Sequence, residues 1–554
     1  MFAKASETLD RLATRYFHAL LAILCLAYFG LNVFYLRTMP LIMDEFTGAF
    51  TVYQFSHGIP YVDFTPYKTI LGYYLQLPAL MLPGDVWAKI MYVKWEMVLL
   101  NGAALFAAAH LLSRHFRRPA ILAATLMFLT MSNFLEHGAA LRVDMLTAWF
   151  GLFSLLALLR GRWIVAGLLL AASFLTSQKG IYYTAATILA MGAAQLVPRD
   201  RPRFVHWVLL GAAAAVPVGL YGLSFVLFGA KAEQIAHQVV VAHKAIALDD
   251  LYREQMMTDF WRQTLDRNPF FYGGMVLGIL VALFRAFKER SRVAALAGVY
   301  GAAILAGCAW HKQTWPYFFV ILIPTAWVLI AALFDGALAL PPWARPAKAL
   351  LLLAGLAGAA FPLQRVPVVL ARSNAMQKDT VALADLLVGK NEYYVAGLAM
   401  LFDRNQPAGL GWLDWRSIAR RNHDWQQTIE ALRKTPPKVV ISNYRVQALK
   451  PAIRAYLRDN YAQLKGNVSL YCPTVGPGAF SAAFDGSYVV RGVGDLTLDG
   501  RPVKNGARAT LKKGAVHRAG DAAYRLCLEP PKGWQSAISK AYRKTDEFKQ
   551  PYEY

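Results

Sequence analysis

Charged residues are scarce in this sequence of 554 residues. Lys, Arg, Asp and Glu together make up 17% of the chain, whereas hydrophobic residues make up 56%. Apolar stretches of about 18–22 residues recur as far as residue 363 or so, each long enough to cross a bilayer. A large soluble enzyme would contain shorter apolar runs, which excludes that class. The composition therefore predicts a polytopic α-helical membrane protein.

About eleven stretches are predicted to span the membrane. They lie at 17–36, 88–112, 119–137, 144–159, 163–178, 180–197, 204–228, 270–286, 293–310, 315–334 and 347–363. The first stretch is too long for a secretory signal peptide and has no small-residue cleavage site, so we expect it to remain as the first span.

Basic residues orient these spans. The N-terminal tail carries Lys4, Arg11 and Arg15, and every even-numbered span is followed by a basic cluster. These clusters are Arg114, Arg117 and Arg118; Arg160 and Arg162; Arg199, Arg201 and Arg203; Arg285, Lys288, Arg290 and Arg292; and Arg345 and Lys348. Because loops rich in Lys and Arg stay in the cytoplasm, the N-terminus is predicted inside and everything after residue 363 outside.

Acidic residues are in the minority, and the net charge is +24. Residues 365–554 hold 29 Lys and Arg against 16 Asp and Glu, which leaves +13 on the outward tail. Such a basic domain beside a membrane suits anionic lipid head groups or an anionic acceptor. Nucleic acid is excluded as a partner, because the tail is outside and contains no nucleic-acid-binding motif.

Cysteine is rare, with four residues in the chain. No spacing of Cys and His indicates a zinc site. Cys25 and Cys308 lie in predicted spans and are interpreted as small packing residues. Cys472 and Cys527 both lie in the outward tail, where a disulfide is chemically allowed, but the sequence does not decide whether they pair.

The chain is predicted to divide into a membrane domain at 1–363, an extracytoplasmic α/β domain at 364–474 and a β-rich domain with a tail at 475–554. "YYVAGL" (393–398) and "KVVISN" (438–443) are typical of short buried strands that precede helices. After residue 475, short alternating runs are separated by Gly-rich turns, and "LDGR" indicates a hairpin. A long outer loop at 229–269 is predicted to form amphipathic helices.

Ionisable residues collect at the ends of the spans that face outward. Charges at such depth are costly unless they pair or serve a function. A carboxylate can accept a proton from an attacking hydroxyl, and clustered cations can hold a phosphate. The candidates are Asp44, Glu45, Lys68, Arg142, Asp144, Lys179, His311 and Lys312.

Four segments resemble motifs of the GT-C glycosyltransferases, and of the protein O-mannosyltransferases and the lipid A aminoarabinose transferase in particular. "MDEFTGAF" followed by "HGIPYVDFTPYKTILGYYL" resembles their first outer loop, with its acidic pair and its Lys ahead of an aromatic run. "ALRVDMLTAWFGLFSLLAL" resembles their second acidic motif. "GLLLAASFLTSQKGIYY" and "HKQTWPYFFVILIPTAWVLIA" resemble two later segments that carry Lys and aromatic residues.

The resemblance implies a GT-C fold and an inverting glycosyltransferase of the bacterial inner membrane, with its C-terminal domain in the periplasm. A sugar would pass from a polyprenyl-phosphate donor to a lipid, glycan or protein acceptor. Asp44 would be the catalytic base that deprotonates the acceptor hydroxyl, and Glu45 would orient that hydroxyl or the sugar. Asp144, held by Arg142, would support the sugar or complete the acidic site. The donor phosphate would be held by Lys68, Lys179, Arg142, His311 and Lys312. No cofactor is expected to be required, and dependence on a divalent metal stays open.

Two other classes of protein compete with this interpretation. A transporter or flippase of lipid-linked sugars would carry ionisable sites near the midplane, often in repeated halves, and the sequence has no two-fold repeat. A non-catalytic envelope assembly protein would use its outward tail to bind lipid-linked sugars, and its acidic pair would be structural.

The orientation can be tested with reporter fusions. Because the basic clusters place the tail outside, an enzyme reporter fused after residue 365 should be active only outside the cytoplasm. A fusion in the basic loop near Arg201 is the matched control and should report the cytoplasm. A cytoplasmic signal after residue 365 would contradict the assignment of every candidate residue to the outer face.

Overall fold

The computed structural model describes residues 11–66, 68–197, 201–241, 254–312, 314–340, 345–407, 410, 424–493, 496–545 and 548. Arg199, the side chains of Arg345 and Lys348, and residues 242–253 of the predicted outer loop lie outside this description. The chain forms two compact units. The first comprises the residues up to Met39, Gln54–Met81 and Tyr92–Arg372, and the second comprises Pro40–Tyr53, Leu82–Met91 and Ser373–Tyr554.

Helices dominate the first unit and open the second. In chain order they are α1 (Phe17–Thr38), α2 (Met43–Gln54), α3 (Leu71–Leu80), α4 (Val86–Leu112), α5 (Arg118–Thr130), α6 (Ser132–His137), α7 (Asp144–Leu159), α8 (Trp163–Thr176), α9 (Gly180–Ala194), α10 (Phe204–Leu227), α11 (Ala232–Ala236), α12 (Glu254–Arg267), α13 (Pro269–Lys288), α14 (Arg292–Trp310), α15 (Ile323–Leu338), α16 (Arg345–Ala360), α17 (Val366–Leu370), α18 (Ala375–Leu387), α19 (Trp425–Lys434), α20 (Tyr444–Gln447) and α21 (Pro451–Asn460).

Eleven apolar segments of the described chain correspond to the predicted spans. Six are long and apolar enough to cross a bilayer: Phe17–Thr38, Val86–Leu112, Phe204–Leu227, Pro269–Lys288, Arg292–Trp310 and Ala349–Leu370. Five are shorter apolar helices: Arg118–Thr130, Asp144–Leu159, Trp163–Thr176, Gly180–Ala194 and Ile323–Leu338. The predicted polytopic helical class is confirmed.

One predicted span, 119–137, is interrupted. The helix stops at Thr130 because Met131 is extended, with φ −61° and ψ 126°, and a short helix restarts at Ser132. The freed backbone N–H of Ser132 donates to Oδ1 of Asn268 at 2.9 Å, and Nδ2 of Asn268 donates to Asn133 at 2.9 Å. The break is therefore stabilised by a side chain at the start of α13, since a buried N–H needs a partner.

Close packing and buried hydrogen bonds join the helices of the first unit. A Cβ at Gly278 of α13 would clash with the backbone of Leu329 in α15, so these two helices approach closely. The Trp149 indole donates to Asn101 at 2.8 Å, and the Tyr300 hydroxyl donates to the carbonyl of Gly151 at 2.8 Å. Small residues at contacts and satisfied polar groups are typical of packing between membrane helices.

The second unit contains three four-stranded sheets. The first sheet has the order β1-β2-β4-β3, with β1 and β2 parallel and the other neighbours antiparallel. The other two have the orders β10-β7-β12-β5 and β6-β11-β8-β9. The strands are β1 (Tyr394–Val395), β2 (Val439–Ile441), β3 (Tyr461–Lys465), β4 (Val468–Tyr471), β5 (Thr474–Val475), β6 (Gly478–Ser481), β7 (Gly486–Arg491), β8 (Leu496–Leu498), β9 (Arg501–Val503), β10 (Arg508–Leu511), β11 (Val516–Ala519) and β12 (Tyr524–Leu528).

The predicted strands and hairpin are present in this unit. β1 and β2 fall within the two predicted buried strands, and Asp499-Gly500 forms the turn between β8 and β9. Both turn residues have positive φ, 52° and 73°, which is the conformation that favours Asp-Gly in tight hairpins. The domain boundaries at 363 and 474 stay predictions.

A disulfide joins the first sheet of this unit to the second. It links Cys472, which follows β4, to Cys527 in β12, and so decides the pairing that the sequence left open. Arg525, also in β12, donates to the carbonyls of Cys472 at 2.9 Å and of Tyr461 at 3.0 Å. One strand of the β-rich part is thus attached to the α/β part by a covalent bond and by a guanidinium.

Removing this disulfide should destabilise the second unit. The bond closes a separation of 55 residues, and a cross-link of this length typically contributes about 2–4 kcal/mol to the free energy of unfolding. The double variant Cys472→Ser/Cys527→Ser should unfold at a lower temperature than the wild type, and reductant should lower only the wild-type midpoint. Cys25→Ser, at a cysteine outside the disulfide, is the control. Equal midpoints for the wild type and the double variant would contradict this expectation.

Candidate functional site

Asp144 is the centre of the predicted site residues in the first unit. Its carboxylate is 1% exposed and contacts three cations. Oδ1 accepts from the Lys68 ammonium at 3.0 Å and from the Lys179 ammonium at 2.7 Å. Oδ2 accepts from Nε of Arg142 at 2.9 Å. The structure therefore brings together four residues that the sequence could only place near one face of the membrane.

Local structure explains how these side chains converge. Asp144 is the first residue of α7, where a carboxylate is favoured by the positive end of the helix dipole. Lys179 occupies the residue before α9, and Lys68 lies in the segment before α3. Three helix starts of the same unit thus contribute to one cluster.

The cluster contains more positive than negative groups. Three basic side chains surround one carboxylate, and all four side chains are at most 18% exposed. Burial, opposed in part by the attraction of Asp144, lowers the pKa of Lys68 to about 7. An incoming anion would favour the protonated form of this lysine. The electrostatics of the cluster therefore suit an added negative group.

Aromatic residues of the segment 315–319 cover the cations. The guanidinium carbon of Arg142 lies 3.6 Å from the ring centroid of Tyr317, and the Lys179 ammonium lies 4.8 Å from that of Phe318. Both distances are within the range of cation–π attraction. The segment that the sequence analysis identified by its aromatic character thus contacts the same cluster.

His311 belongs to this aromatic part of the site. Its ring stacks on Phe318 with centroids 4.2 Å apart, and its Nδ1 lies 2.8 Å from the Tyr182 hydroxyl. Burial, together with the charge of Lys179, lowers the pKa of His311 to about 3, so the ring is neutral at physiological pH. It can orient a polar group but cannot add a charge. Its neighbour Lys312 is exposed, unlike the three cations at Asp144.

The acidic pair lies in the second unit, at the start of α2, and the structure separates the roles of its two members. Glu45 is 2% exposed, and its Oε2 accepts the backbone N–H of Ile42 at 2.9 Å. This bond satisfies a donor at the beginning of the helix. Asp44 is more accessible, with its side chain 31% exposed. Its geometry suits a reacting group better than that of Glu45.

Arg445 is a site residue that the sequence analysis missed. Its guanidinium donates to Oδ1 of Asp44 at 3.2 Å and to the Tyr444 hydroxyl at 3.3 Å. The two residues of this ion pair are 401 positions apart. The one local signal was "ISNYR", in which a polar residue follows a buried strand.

Asn443 positions Arg445. Its side-chain oxygen accepts the backbone N–H groups of Arg445 and Val446 at 2.9 and 3.2 Å, which starts the short helix α20. Its amide donates to the carbonyl of Ala396 at 2.7 Å. These contacts lie just beyond the carboxyl ends of the parallel strands β1 and β2, the edge at which α/β sheets usually place functional groups.

A second buried ion cluster was also missed. Glu136 of α6, with its side chain 3% exposed, accepts from Arg267 at 3.3 Å and from Arg365 at 3.1 Å. These partners come from the end of α12 and from the 3₁₀ segment that precedes α17. We interpret this cluster as structural, because it links three segments of the first unit around the interrupted span.

No group of three His, Cys, Asp or Glu residues in the described part of the chain is arranged to hold a metal ion. Around Asp144 the neighbouring groups are cations, which is the opposite of the oxygen-rich set that a hard divalent cation prefers. Dependence on a divalent metal stays as open as the sequence left it.

No protein-family model and no curated protein matches this sequence. Solved structures do match its fold. ArnT from Cupriavidus metallidurans in the apo state is 13% identical with a TM-score of 0.55, over 81% of this chain and 97% of that chain. The same protein bound to undecaprenyl phosphate is 12% identical with a TM-score of 0.56, over 83% and 98%.

An oligosaccharyltransferase from Archaeoglobus fulgidus in the apo form is also similar. It is 13% identical with a TM-score of 0.54, over 86% of this chain and 74% of that chain. Identities this low carry no information on substrate, but the matches extend over most of each chain. The fold indicated by the four sequence motifs is confirmed, and this chain has the fold of the GT-C glycosyltransferases.

Proposed function

We propose that this protein is an inverting glycosyltransferase that transfers a sugar from a polyprenyl-phosphate donor to an acceptor at the outer face of a bacterial inner membrane. The observation that carries this proposal is the cluster at Asp144, in which three buried or half-buried cations surround one carboxylate. The structure of ArnT with undecaprenyl phosphate supports the choice of donor, because it places a lipid phosphate in a protein of the same fold.

In this proposal the cations hold the donor phosphate. Lys68, Lys179 and Arg142 already share the charge of Asp144, and a phosphate would bring the negative charge that balances the rest. When the bond between the sugar and the phosphate breaks, negative charge grows on the leaving oxygen. Preorganised cations at that oxygen lower the energy of the transition state more than that of the bound donor.

Asp44 is proposed as the general base. The acceptor oxygen attacks the anomeric carbon from the face opposite the phosphate, a new C–O bond forms, and the bond to the phosphate oxygen breaks. Asp44 takes the acceptor's proton, and polyprenyl phosphate leaves with the electron pair of the broken bond. Attack from the opposite face inverts the anomeric carbon.

The other candidates are assigned supporting roles. Arg445 orients the Asp44 carboxylate through their ion pair at 3.2 Å. Glu45 fixes the start of α2 through its bond to Ile42, which determines where Asp44 stands. Asp144 holds the cations in place, and His311 and Lys312 complete the polar surroundings of the donor. None of these steps is routed through a metal. Lipid A, an envelope polysaccharide and a protein all remain candidate acceptors.

Asp44→Asn should nearly abolish transfer while donor binding survives. Loss of general-base catalysis typically lowers the rate by about 10²–10⁴-fold. The rate should be measured with purified protein and a polyprenyl-phosphate sugar. To identify the acceptor, mass spectrometry should compare the lipid A, polysaccharide and periplasmic proteins of cells with and without the gene. Arg445→Gln should lower turnover less than Asp44→Asn, because it removes only the orienting partner.

Asp521→Asn, at an exposed carboxylate of the same unit, is the matched control and should retain full activity. If Asp44→Asn turns over at a near-normal rate, the base lies elsewhere and Asp144 is the next candidate. If no sugar is transferred by the wild type but lipid-linked sugar crosses the membrane in reconstituted vesicles, the protein is a transporter instead.

Lys68→Ala should weaken donor binding before it affects the chemical step. This change removes one of the two lysines at Oδ1 of Asp144, so the Michaelis constant for the donor should rise more than turnover falls. Because the pKa of Lys68 is about 7, donor binding by the wild type should also weaken as the pH rises from 7 to about 9.

Lys288→Ala, at an exposed lysine of the first unit, should leave the Michaelis constant unchanged. Thermal unfolding of both variants separates loss of binding from loss of folding, since breaking a buried ion pair costs about 3–5 kcal/mol. A Lys68→Ala enzyme that is folded and binds the donor normally would remove Lys68 from the phosphate site.

A further inference from the structure

A cavity of about 560 Å³ lies within the second unit, apart from the residues discussed so far. It opens between helices α19 and α21 on one side and strands of both β-rich sheets on the other. Its volume is within the range of about 300–1,000 Å³ that is usual for small-molecule sites. None of the predicted catalytic or phosphate-binding residues lines it.

The floor of the cavity is apolar. Val475, Leu511 and Leu526 are buried side chains of the sheet β10-β7-β12-β5. Tyr488 of β7 is 2% exposed, and its hydroxyl donates to the carbonyl of Phe484 at 2.9 Å. The floor therefore offers hydrophobic surface, and the hydroxyl of Tyr488 is already hydrogen-bonded within the protein.

The walls are aromatic. Tyr456, Tyr471 and Phe480 are half-buried, so part of each ring remains accessible. Tyr471 packs edge-to-face against Phe484 with centroids 5.3 Å apart, which fixes the orientation of its ring. In the part of the chain that the structure describes, the hydroxyls of Tyr456 and Tyr471 have no hydrogen-bond partner. The walls thus combine fixed aromatic surface with polar groups available to a ligand.

The rim is polar and of mixed charge. Arg433, Asp459, Thr474 and Ser481 are exposed at the opening, and Asn460 lies beside them. Arg433 can donate, Asp459 can accept, and the hydroxyl and amide groups can do both. Asp459 also pairs with Arg458 at 3.3 Å, and the guanidinium carbon of Arg433 lies 6.0 Å from the ring centroid of Tyr456. The lining residues themselves thus contribute one cation and one anion.

The cavity is held in shape by the contacts at its base. The Cys472–Cys527 disulfide and the bonds from Arg525 to Cys472 and Tyr461 attach the α/β part to the β-rich part next to the lining residue Pro473. A site fixed in this way loses little conformational entropy when it binds a ligand.

We propose that this cavity binds a short oligosaccharide. A sugar ring has an apolar face of C–H groups that packs on an aromatic ring, whose face is electron-rich. Its edge carries hydroxyls that both donate and accept, which matches the mixed rim of Arg433, Asp459 and Asn460. The combination of flat aromatic walls and a neutral polar rim fits this class of ligand on both counts.

Two other classes of ligand fit less well. A peptide that added itself as a strand would find short edges at the cavity, of two residues at β5 and four at β6, which allow few main-chain hydrogen bonds. An anionic lipid head group would need several cations, whereas Arg433 is the only Lys or Arg among the described residues that line the cavity, and Asp459 adds a carboxylate. We thus infer the class of ligand from the cavity alone. That the bound oligosaccharide is part of the acceptor glycan rests on the proposed function.

The test uses the full-length protein in nanodiscs and requires no donor. Fluorescently labelled protein is applied to an array of bacterial envelope oligosaccharides and to an array of peptides, and the bound glycans are then titrated by calorimetry. We expect at least one oligosaccharide to bind, and Ser481→Trp, which fills the opening, to weaken that binding by about tenfold or more. Asp459→Asn, at a side chain that is 62% exposed, should weaken it by about fivefold.

Val493→Trp, at a side chain that is 94% exposed and outside the cavity, is the matched control and should bind normally. The proposal is overturned if no glycan binds, if peptides bind in place of glycans, or if both cavity variants bind glycan as tightly as the wild type. Transfer activity separates this inference from the proposed function. If the wild type binds glycan but transfers no sugar, only the proposed function is contradicted. If the wild type transfers sugar but the cavity variants bind glycan as tightly as the wild type, only the cavity proposal is contradicted.

Discussion

One buried carboxylate organises the part of the membrane unit that we connect with chemistry. Asp144 accepts from Lys68, Lys179 and Arg142, which arrive from three segments spread over the chain. Desolvating four ionisable side chains is expensive, and a buried ion pair often stabilises a fold no better than apolar residues of the same volume. Such a cluster is therefore better explained by what it can bind than by what it contributes to stability.

The same carboxylate limits what the cluster can bind. With one anion among three cations, the cluster has an excess of positive groups, which attracts a further anion. The aromatic segment 315–319 adds to this preference, because Tyr317 and Phe318 lie against Arg142 and Lys179 and shield them from water. Charge held in such surroundings acts more strongly on a bound phosphate than it would in water. The donor that we propose, a lipid-linked phosphate, would combine such a negative charge with a tail suited to the membrane.

The second unit also contains residues that we connect with chemistry. The acidic pair lies on α2, whose residues up to Tyr53 belong to the same compact unit as residues 373–554, and Asp44 pairs there with Arg445. The proposed base is thus oriented by a residue of the C-terminal part of the chain. The aromatic cavity lies in this unit as well. The second unit is therefore the place to look for both control of the proposed base and recognition of a glycan.

Local patterns were sufficient for the spans and for the strands of the C-terminal part. Hydrophobic length depends only on composition over about twenty residues, so each predicted span corresponds to an apolar segment of the described chain, and six of these segments are helices long enough to cross a bilayer. The interruption at Met131 could not be predicted, because the apolar composition continues through it and the stabilising partner, Asn268, is 136 residues away. The hairpin at Asp499-Gly500 could be predicted, since its positive φ angles are a property of the turn residues themselves.

For the candidate site, the sequence by itself determined which residue types stand at the ends of the spans. Span ends and charge bias were enough to select Asp44, Lys68, Arg142, Asp144 and Lys179. Only the tertiary structure decided that Lys68, Arg142 and Lys179 meet at the carboxylate of Asp144. It also decided that Glu45 accepts a hydrogen bond at the start of its own helix and that Arg445 pairs with Asp44. The reason is that Lys179, Lys68 and Arg445 reach their carboxylates across separations of 35, 76 and 401 positions, whereas periodicity and composition report only on neighbours along the chain.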